Sequence, residues 1–571
     1  MNHRKIPKDT RTLFFTTSPR SPHKMIPEVK LLIENFEGKA WNKNNQKAFM
    51  ELLVAQDFFE DVGPTNNLDL SARDRINRAP QLLGFVNLEN TIQKTEAYEK
   101  LVSGQNQNEV FLRQLLKFQL PSPLKPESSN GQSVFWVRPY LEVLRLVFAL
   151  GYLSRDEMAI FGMQLTDWRN FDSIKRKIVS FRRKKKNRNA ANESYRDFIS
   201  KIQMQEAISL YKDVIESGNY KKRESDGEQS SKLVEYLNAK ISNCYDYADA
   251  CRRYLRFTGL IKVDLKSRSI SIAPNKIDEV DWILKNTERN PVHVDDLEEY
   301  QRYLFDSKEP LILQDDEASL RKRLITFGIE KETVDSLSID ELYEYYEREQ
   351  QKYVEKVIEN EAKSLKSYED YDDIMSVFDS LVDRNTPDKP LLLEWNVWRA
   401  LAMIDHGLIE GNFIRDANGL PEETAGPGIP DIVCRYNDFD LIVEVTMQSG
   451  RRQYNSEGEP VADHVGRHKI ESGKPTYCIF IAPTINENVI SYFYGIDQIN
   501  MAAYGGKSKI VPLALDDFKI MLERANASEK PKDTDIKQLL DGFIDSIQDS
   551  DNELLWYQTI KSLTANWMSA Q

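Results

Sequence analysis

The stretch of residues 428–457 constrains the fold of this chain more than any other part of the sequence. It contains two short apolar segments, 432–434 and 441–445, that are separated by an Asn-Asp turn. Asp431 stands immediately before the first segment, and Glu444 lies within the second. If the two segments pair as a β-hairpin, both carboxylates converge at one end of a small sheet.

Two converging carboxylates predict a site for a hard divalent cation, and Mg²⁺ is the cation that suits them. A bound Mg²⁺ neutralises charge on a phosphate and lowers the pKa of a bound water. The pattern therefore predicts phosphodiester hydrolysis. A single Asp or Glu beside a strand is more often a solvated turn residue, but here apolar strands flank both acids.

The segments on either side of the hairpin predict an α/β domain. Residues 391–404 have the apolar spacing of an amphipathic helix, with Glu394 on the same face as Trp398 and Leu401. Downstream, the pattern predicts helices and strands in alternation, which is typical of an α/β core. These are a helix over 460–470, a strand over 476–482, a strand over 510–515 and a helix over 516–524.

The order Pro430-Asp431 followed by Glu444-Val445-Thr446 resembles the PD-(D/E)XK nuclease motif. Together with Glu394 and Glu457, it is similar to the AlwI-type type IIS restriction endonucleases and their nicking relatives. The resemblance is close over residues 388–485 and extends over most of the chain. It implies catalytic roles for Asp431, Glu444, Glu457 and Glu394, with Asp431, Glu444 and Glu394 as metal ligands.

The chain departs from the motif at Thr446, where the family usually has a lysine that positions and deprotonates the attacking water. Another group must therefore do this work. Glu457 is one candidate, because it follows Glu444 by the same thirteen residues that separate Glu444 from Asp431. The other candidates are Gln448, His468 and Lys469.

With 571 residues the chain is too long for one core, and a multidomain fold is expected. We expect a mainly α-helical, winged-helix DNA-recognition region, a helical linker and a C-terminal α/β PD-(D/E)XK nuclease domain. The predicted segments are a winged-helix-like subdomain (1–135), a second recognition region with winged-helix units (136–277), an acidic helical linker (278–385) and the nuclease domain (386–571).

The net charge of −13 conceals a strong asymmetry. Residues 278–384 hold 30 acidic and 14 basic residues, whereas the rest of the chain holds 60 acidic and 63 basic residues. The remainder can therefore present basic faces to phosphate, and the acidic segment disfavours wrong contacts with DNA.

Four basic groups in the recognition regions are predicted to contact DNA. The densest lies within residues 175–188, which contain nine bases and no acid. Such a cluster binds phosphates through counterion release, although a charge run is more often a solvated face. The candidates are Arg20 and Lys24 in an N-terminal arm, Arg75 and Arg78, Lys175, Arg176, Arg182, Arg183, Lys184 and Lys185, and finally Arg252, Arg253, Arg256, Lys266 and Arg268.

The last of these groups lies in the clearest helix and wing pattern. Residues 232–261 predict a helix pair, and residues 262–274 alternate like a two-stranded wing. Arg252, Arg253 and Arg256 lie on the predicted second helix, where arginines can read guanine edges in a major groove. The alternative is that these arginines only solubilise a helix surface.

Composition excludes several other classes of protein. No apolar run reaches the length of a membrane span or a signal peptide, so a cytoplasmic protein without membrane contact is expected, and the resemblance implies that it is bacterial. Four scattered cysteines do not predict a disulfide framework or a zinc site.

The resemblance implies a type IIS enzyme that recognises a short asymmetric sequence in double-stranded DNA and cuts a fixed distance outside it with Mg²⁺. It also implies a cognate DNA methyltransferase, and a double-strand break would require a transient second copy of the cleavage domain. A strand-specific nicking endonuclease or the large subunit of a heterodimeric enzyme is the closest alternative. A non-catalytic winged-helix DNA-binding regulator is the alternative of another class.

Overall fold

The chain folds into two compact units, Met1–Gln350 and Gln351–Gln571. The computed structural model describes residues 6, 10–56, 58–59, 67–104, 106–126, 134–188, 193–218, 220, 233–383, 386, 388–404, 407–426, 428–528 and 530–568. Among these residues, no helix combines the length and the apolar character that crossing a bilayer requires.

The first unit is mostly helical. Its helices are α1 (Pro22–Phe36), α2 (Lys43–Val54), α3 (Leu68–Ile76), α4 (Ala79–Leu82), α5 (Glu96–Val102), α6 (Gln107–Lys117), α7 (Pro139–Leu150), α8 (Arg155–Ile160), α9 (Phe171–Asn187), α10 (Tyr195–Leu210), α11 (Lys212–Glu216), α12 (Leu233–Phe257), α13 (Ile277–Asn286), α14 (Leu297–Phe305), α15 (Glu317–Thr326), α16 (Lys331–Ser336) and the start of α17 (Ile339–Lys366). Its strands are β1 (Val86–Asn87), β2 (Gln93–Lys94), β3 (Tyr152–Leu153), β4 (Ile261–Val263) and β5 (Ile270–Ile272).

A three-stranded antiparallel sheet in the order β3-β5-β4 follows from local signals in the sequence. Gly151 ends α7 at a φ of 80°, and Ser154 begins α8 with a capping box to Glu157. The two strands predicted over 262–274 are present as the β4–β5 hairpin, and their role as a wing stays a prediction.

The predicted helix pair over 232–261 is wrong, and Lys232 lies outside the described residues. One continuous helix of 25 residues, α12, occupies the region instead. Its apolar residues keep a helical spacing, and no break interrupts them before Gly259, which adopts a φ of 73° beyond the helix end.

The acidic segment 278–385 does not form a body of its own. Tyr300 and Leu304 belong to the core of the first unit, whereas Phe378 packs edge-to-face on Phe518 in the second. Its described residues form helices joined by loops, without a strand, which agrees with the helical prediction, but the division between the units falls within α17. Leu320, Leu324, Val334, Leu342 and Tyr346 form a separate small cluster of buried side chains within the segment. The predicted boundary at residue 385 lies outside the described residues.

The second unit is built around a five-stranded sheet in the order β12-β11-β10-β9-β6. Its elements are α18 (Tyr371–Ser380), α19 (Lys389–Ile404), β6 (Leu408–Gly411), β7 (Ile414–Arg415), β8 (Pro421–Glu423), β9 (Ile432–Arg435), β10 (Asp440–Val445), α20 (Gly450–Ser472), β11 (Thr476–Ala482), α21 (Glu487–Ile496), β12 (Lys509–Ala514), α22 (Leu515–Ala527), α23 (Asp533–Asp545) and α24 (Glu553–Asn566).

The mixed pairing of this sheet follows from the length of its connections. Strands β9 and β10 pair antiparallel through a tight turn, in which the backbone N–H of Tyr436 donates to the carbonyl of Phe439 at 3.1 Å. Strands β10, β11 and β12 are parallel, since helices α20 and α21 provide the crossovers. All seven residues of β11 are buried, as expected for a central parallel strand.

Candidate active site

Asp431 and Glu444 lie at the same end of the β9–β10 hairpin. Ile432 is the register partner of Val443, so the acids next to this pair are close neighbours across the two strands. Asp431 Oδ2 accepts a hydrogen bond of 2.7 Å from the backbone N–H of Val445. The predicted convergence of the hairpin is therefore present, whereas the role of either acid as a metal ligand stays a prediction.

Glu394 is held close to the hairpin by helix α19. Its side chain is buried, and Oε1 accepts a hydrogen bond of 3.0 Å from the backbone N–H of Ala425. Burial, followed by the negative charge of Asp431, raises the pKa of Glu394 to about 9. The helix glutamate and the hairpin aspartate therefore interact electrostatically, although they are 37 positions apart in the sequence.

Glu457 lies on helix α20 and contacts the residue that replaces the motif lysine. The Thr446 hydroxyl donates a hydrogen bond of 2.8 Å to Glu457 Oε1. Because α20 already begins at Gly450, Glu457 is part of a regular helix and not of an exposed loop. Among the four candidates to replace the lysine, Glu457 is thus the one whose side chain forms a hydrogen bond with Thr446.

The other candidates have different partners. His468 Nε2 lies 2.9 Å from Asp440 Oδ2, at the start of β10 and away from Glu444. Lys469 Nζ donates to the carbonyl of Lys507 at 3.1 Å. Gln448 uses its backbone, with its N–H donating to the Thr446 hydroxyl at 3.1 Å. Neither His468 nor Lys469 bonds to any of the four acids.

His464 is a site residue that the sequence reasoning missed. Its Nδ1 lies 2.8 Å from Glu444 Oε1, and both side chains are mostly buried. Glu457, His464 and His468 follow one another by seven and then four residues, which places them on one face of α20. That spacing was the available signal, since this helix face lies along strand β10.

The site accumulates negative charge in a buried place. Burial, and then the charge of Glu444, raises the pKa of Asp431 well above its ordinary value. Burial and then the charge of Glu457 do the same for Glu444, and burial also raises the pKa of Glu457. Four carboxylates that oppose one another's ionisation indicate a place where a cation is needed.

The chemistry of these donors fits a divalent cation. Their oxygens are hard ligands, and a cation would relieve the repulsion that raises their pKa values. Within the part of the chain that the structure describes, no group of three or more His, Cys, Asp or Glu side chains is arranged to hold a metal ion. Magnesium often takes only one or two protein carboxylates and completes its shell with water and phosphate oxygens, so the acids present suffice.

The buried charge leads to a prediction for stability. We expect Glu394→Gln to raise the unfolding temperature in metal-free buffer, because a neutral amide avoids the cost of burying a carboxylate. The folded-state pKa of about 9 exceeds the ordinary value of 4.5, so this cost is absent below pH 4.5 and grows as the pH rises toward 9. The gain should reach roughly 1–4 kcal/mol at pH 8, or several degrees, measured by thermal unfolding.

The control for that measurement is Glu471→Gln, at an exposed position of α20, which should leave the unfolding temperature unchanged. Equal unfolding temperatures of wild type and Glu394→Gln at pH 8 would contradict the buried charge.

Several of the predicted DNA-binding residues have partners within the first unit. Arg75 pairs with the buried Glu28 at 2.5 Å, and Arg78 pairs with Asp74 at 2.9 Å. Arg20 and Lys24 are exposed, and the Arg20 carbonyl accepts a hydrogen bond of 2.7 Å from Arg253 Nε. The arm around Arg20 is therefore anchored to α12, and its DNA contact stays a prediction.

The arginines of α12 do not form the exposed face that a groove contact requires. Arg252 and Arg256 are 7% and 2% exposed. Arg252, Arg253 and Arg268 all form ion pairs with Asp249, so this carboxylate joins the helix to the turn of the β4–β5 hairpin. Lys266 lies in that turn. Local periodicity places arginines on a helix, but tertiary packing decides which of them reach solvent.

The bases of α9 divide into two sets. Lys177 and Arg182 pair with Glu206 and Glu157, each at 2.8 Å, and Lys185 lies over the ring of Tyr195. Arg176, Arg183 and Lys184 are exposed, and Lys175 is half-buried.

Solved structures have low structural similarity to this chain, with TM-scores of 0.24 to 0.31. The small subunit R.BspD6I2 of the heterodimeric restriction endonuclease R.BspD6I is 23% identical, with 34% of this chain and 99% of that chain covered and a TM-score of 0.29. The BpuJ1 endonuclease binding domain in complex with modified DNA is 12% identical, with coverages of 52% and 96% and a TM-score of 0.31. Restriction endonuclease FokI is 10% identical, with coverages of 93% and 99% and a TM-score of 0.24. TM-scores this low do not establish a shared fold or function.

Family membership follows from the sequence itself. A search of curated proteins finds no match. The sequence model of the AlwI restriction endonuclease family, however, matches residues 81–521, which include α19, the β9–β10 hairpin and α20 with its acids. The match covers more than three quarters of the chain and confirms the resemblance that the acids and their spacing indicate. The chain belongs to the AlwI restriction endonuclease family.

Proposed function

We propose that this chain is a type IIS restriction endonuclease of the PD-(D/E)XK superfamily. It would recognise a short asymmetric sequence in double-stranded DNA and, with Mg²⁺, hydrolyse phosphodiester bonds a fixed distance outside it. The observation that supports this most directly is the convergence of Glu394, Asp431, Glu444 and Glu457, all of them buried or half-buried, in a chain of a restriction endonuclease family.

Each acid has a distinct part in this proposal. Asp431, Glu444 and Glu394 would hold Mg²⁺, which when bound supplies charge neutralisation at the phosphate and a more acidic water. Glu457 would accept the proton of the attacking water, because burial raises its pKa and Thr446 fixes one of its oxygens. His464 would orient Glu444 through the bond at Oε1.

Sequence recognition is assigned to a winged-helix arrangement in the first unit. Its support is the order of elements: α7, β3 and α8 come first, and α12 with the β4–β5 hairpin completes the sheet β3-β5-β4. Helix α12 would be the recognition helix, with the hairpin as the wing. Because Arg252 and Arg256 are buried, base contacts would fall to other residues of this unit.

Digestion of a plasmid by the purified protein tests the proposal. We expect discrete linear fragments with Mg²⁺ and no cleavage in EDTA. Nicked circles alone would favour a strand-specific nicking endonuclease or the large subunit of a heterodimeric enzyme. Binding without any cleavage in Mg²⁺ or Mn²⁺ would favour the non-catalytic DNA-binding regulator and contradict the proposal.

Double-strand cleavage should require two copies of the chain. One acidic cluster hydrolyses one phosphodiester at a time, so a second cleavage domain must join transiently on the DNA, most simply by isologous pairing. We expect a monomer in free solution and a double-strand cleavage rate that rises more steeply than linearly with enzyme concentration. Sedimentation and a concentration series measure both, and a stable free dimer would contradict this mechanism.

The proposal also carries two expectations about the cell. A DNA methyltransferase that modifies the same recognition sequence would protect the host genome, and the enzyme would act in the bacterial cytoplasm, where that DNA lies. Resistance of methylated plasmid to cleavage would support the first expectation.

A further inference from the structure

Helix α9 and its C-cap residue present two sets of basic side chains with different surroundings, and the exposed Lys184 belongs to neither set. One set is bound to the protein: Lys177 pairs with Glu206, Arg182 pairs with Glu157, and Lys185 and Arg188 lie 4.7 and 5.0 Å from the ring centre of Tyr195. Arg182 also donates to the carbonyl of Leu150 at 3.1 Å. The contacts of these bases stabilise the packing of α9 against neighbouring elements of the first unit.

The other set forms a stripe on the opposite side of the helix from the buried Ile174, Ile178 and Phe181. The stripe begins at Lys175. Residues one, eight and eleven positions after Lys175 lie on the same face of the helix as Lys175 because of the helical period. None of its members forms an ion pair with a residue that the structure describes. The stripe consists of Lys175, Arg176, Arg183 and Lys186.

The dimensions and composition of the stripe suit a DNA backbone. Eleven residues of helix extend about 16 Å, which is enough to face several successive phosphates of one strand. Between the bases lie Val179, which is 53% exposed, and Ser180, so the face offers an apolar contact for a sugar and a hydroxyl donor for a phosphate. The only acid of α9, Asp172, is in the first turn, where the helix dipole favours it.

We propose that the stripe on α9 is a sequence-independent phosphate clamp for double-stranded DNA. This inference rests on the proposed function and adds to it. Helix α9 is a different element from α12 and the β4–β5 hairpin, to which sequence recognition is assigned, and Arg182 packs it against the end of α7 and against α8. The stripe would supply affinity, and the helix and wing would supply specificity.

The test is a fourfold variant of the full chain that replaces the stripe residues with serine. Binding to a 40-base-pair duplex of random sequence is measured in EDTA between 50 and 200 mM salt. Each phosphate contact contributes about 0.9 to the slope of log K against log salt, so the slope should fall by about 2 to 4. The substitutions are Lys175→Ser, Arg176→Ser, Arg183→Ser and Lys186→Ser.

A matched control removes the same charge from exposed lysines elsewhere in the same unit, and it should change the slope by less than 1. Thermal unfolding establishes that both variants fold. The two halves of the stripe, changed as separate pairs, should each give about half of the full effect. The control substitutions are Lys43→Ser, Lys100→Ser, Lys201→Ser and Lys308→Ser.

The outcomes separate this inference from the proposed function. Equal slopes for the stripe variant and wild type would overturn the clamp while leaving nuclease function intact, and would point to an acidic protein partner or a solvated face. A changed plasmid fragment pattern would also overturn it, because the stripe would then read bases. If wild type neither binds the duplex nor cuts plasmid, the proposed function fails as well.

Discussion

Replacing Asp431 by alanine should abolish DNA cleavage while DNA binding is retained or becomes tighter. Asp431 interacts electrostatically with Glu394, Glu444 and Glu457, and it is proposed to bind the metal. Losing one group that stabilises charge in the transition state costs about 10²- to 10³-fold in rate, and loss of a metal ligand removes such a group. Removing this negative charge from the neighbourhood of a bound phosphate should also favour binding. A plasmid cleavage time course and a gel-shift titration measure the two effects.

Glu444→Ala should behave in the same way, because Glu444 is the partner acid on the neighbouring strand. Asp438→Ala is the matched control, since this aspartate lies in the exposed turn of the same hairpin. Cleavage at more than a tenth of the wild-type rate by Asp431→Ala or Glu444→Ala would refute the assignment of the site. Loss of cleavage by the control would instead indicate a general sensitivity of the hairpin.

The second large effect is expected at His464. With a cation bound, Glu444 is ionised, and a neutral imidazole can donate its Nδ1–H to Oε1. Burial, and then the charge of Arg467, lowers the pKa of His464. Partners that orient metal ligands contribute about 10- to 100-fold in metal affinity or activity. We therefore expect His464→Ala to raise the Mg²⁺ concentration for half-maximal cleavage by that factor.

Two variants give the His464 prediction its controls. His464→Asn keeps a side-chain N–H donor close to the position of Nδ1, and so should recover most of the loss. His468→Ala lies on the same helix face but contacts Asp440 at the other end of β10, and it should cost stability without changing the Mg²⁺ requirement. If His464→Ala and His468→Ala have equal Mg²⁺ requirements, the assigned orienting role of His464 is wrong.

Much of the fold of the second unit could be predicted because its signals are local. The apolar runs around residues 432–434 and 441–445, and the turn between them, define a hairpin without reference to the rest of the chain. The strand over 476–482 matches β11 residue for residue, since a continuous apolar run of this length is typical of a buried parallel strand. Once the hairpin is predicted, its pairing places Asp431 and Glu444 at the same end of the two strands.

The domain boundaries and several side-chain environments could not be predicted in this way. The acidic segment looks uniform in composition, yet Tyr300 and Leu304 join one core while Phe378 joins another. Charge and hydropathy do not reveal which core a helix will meet, because that choice depends on partners far away in the sequence. The helix pair expected over 232–261 fails for a simpler reason, since a long helix needs no internal break to bury its apolar stripe.

The sequence by itself determined the hairpin, its two acids and the family to which the chain belongs, because these depend on spacings within short segments. Only the tertiary structure decided that His464 meets Glu444, that Glu457 bonds to Thr446, and that Arg252 and Arg256 are buried. Each of these outcomes depends on how a helix packs against a strand or a neighbouring helix. A change in the rotation of a helix about its axis moves a charged side chain between solvent and core, and the sequence of that helix alone does not specify its rotation.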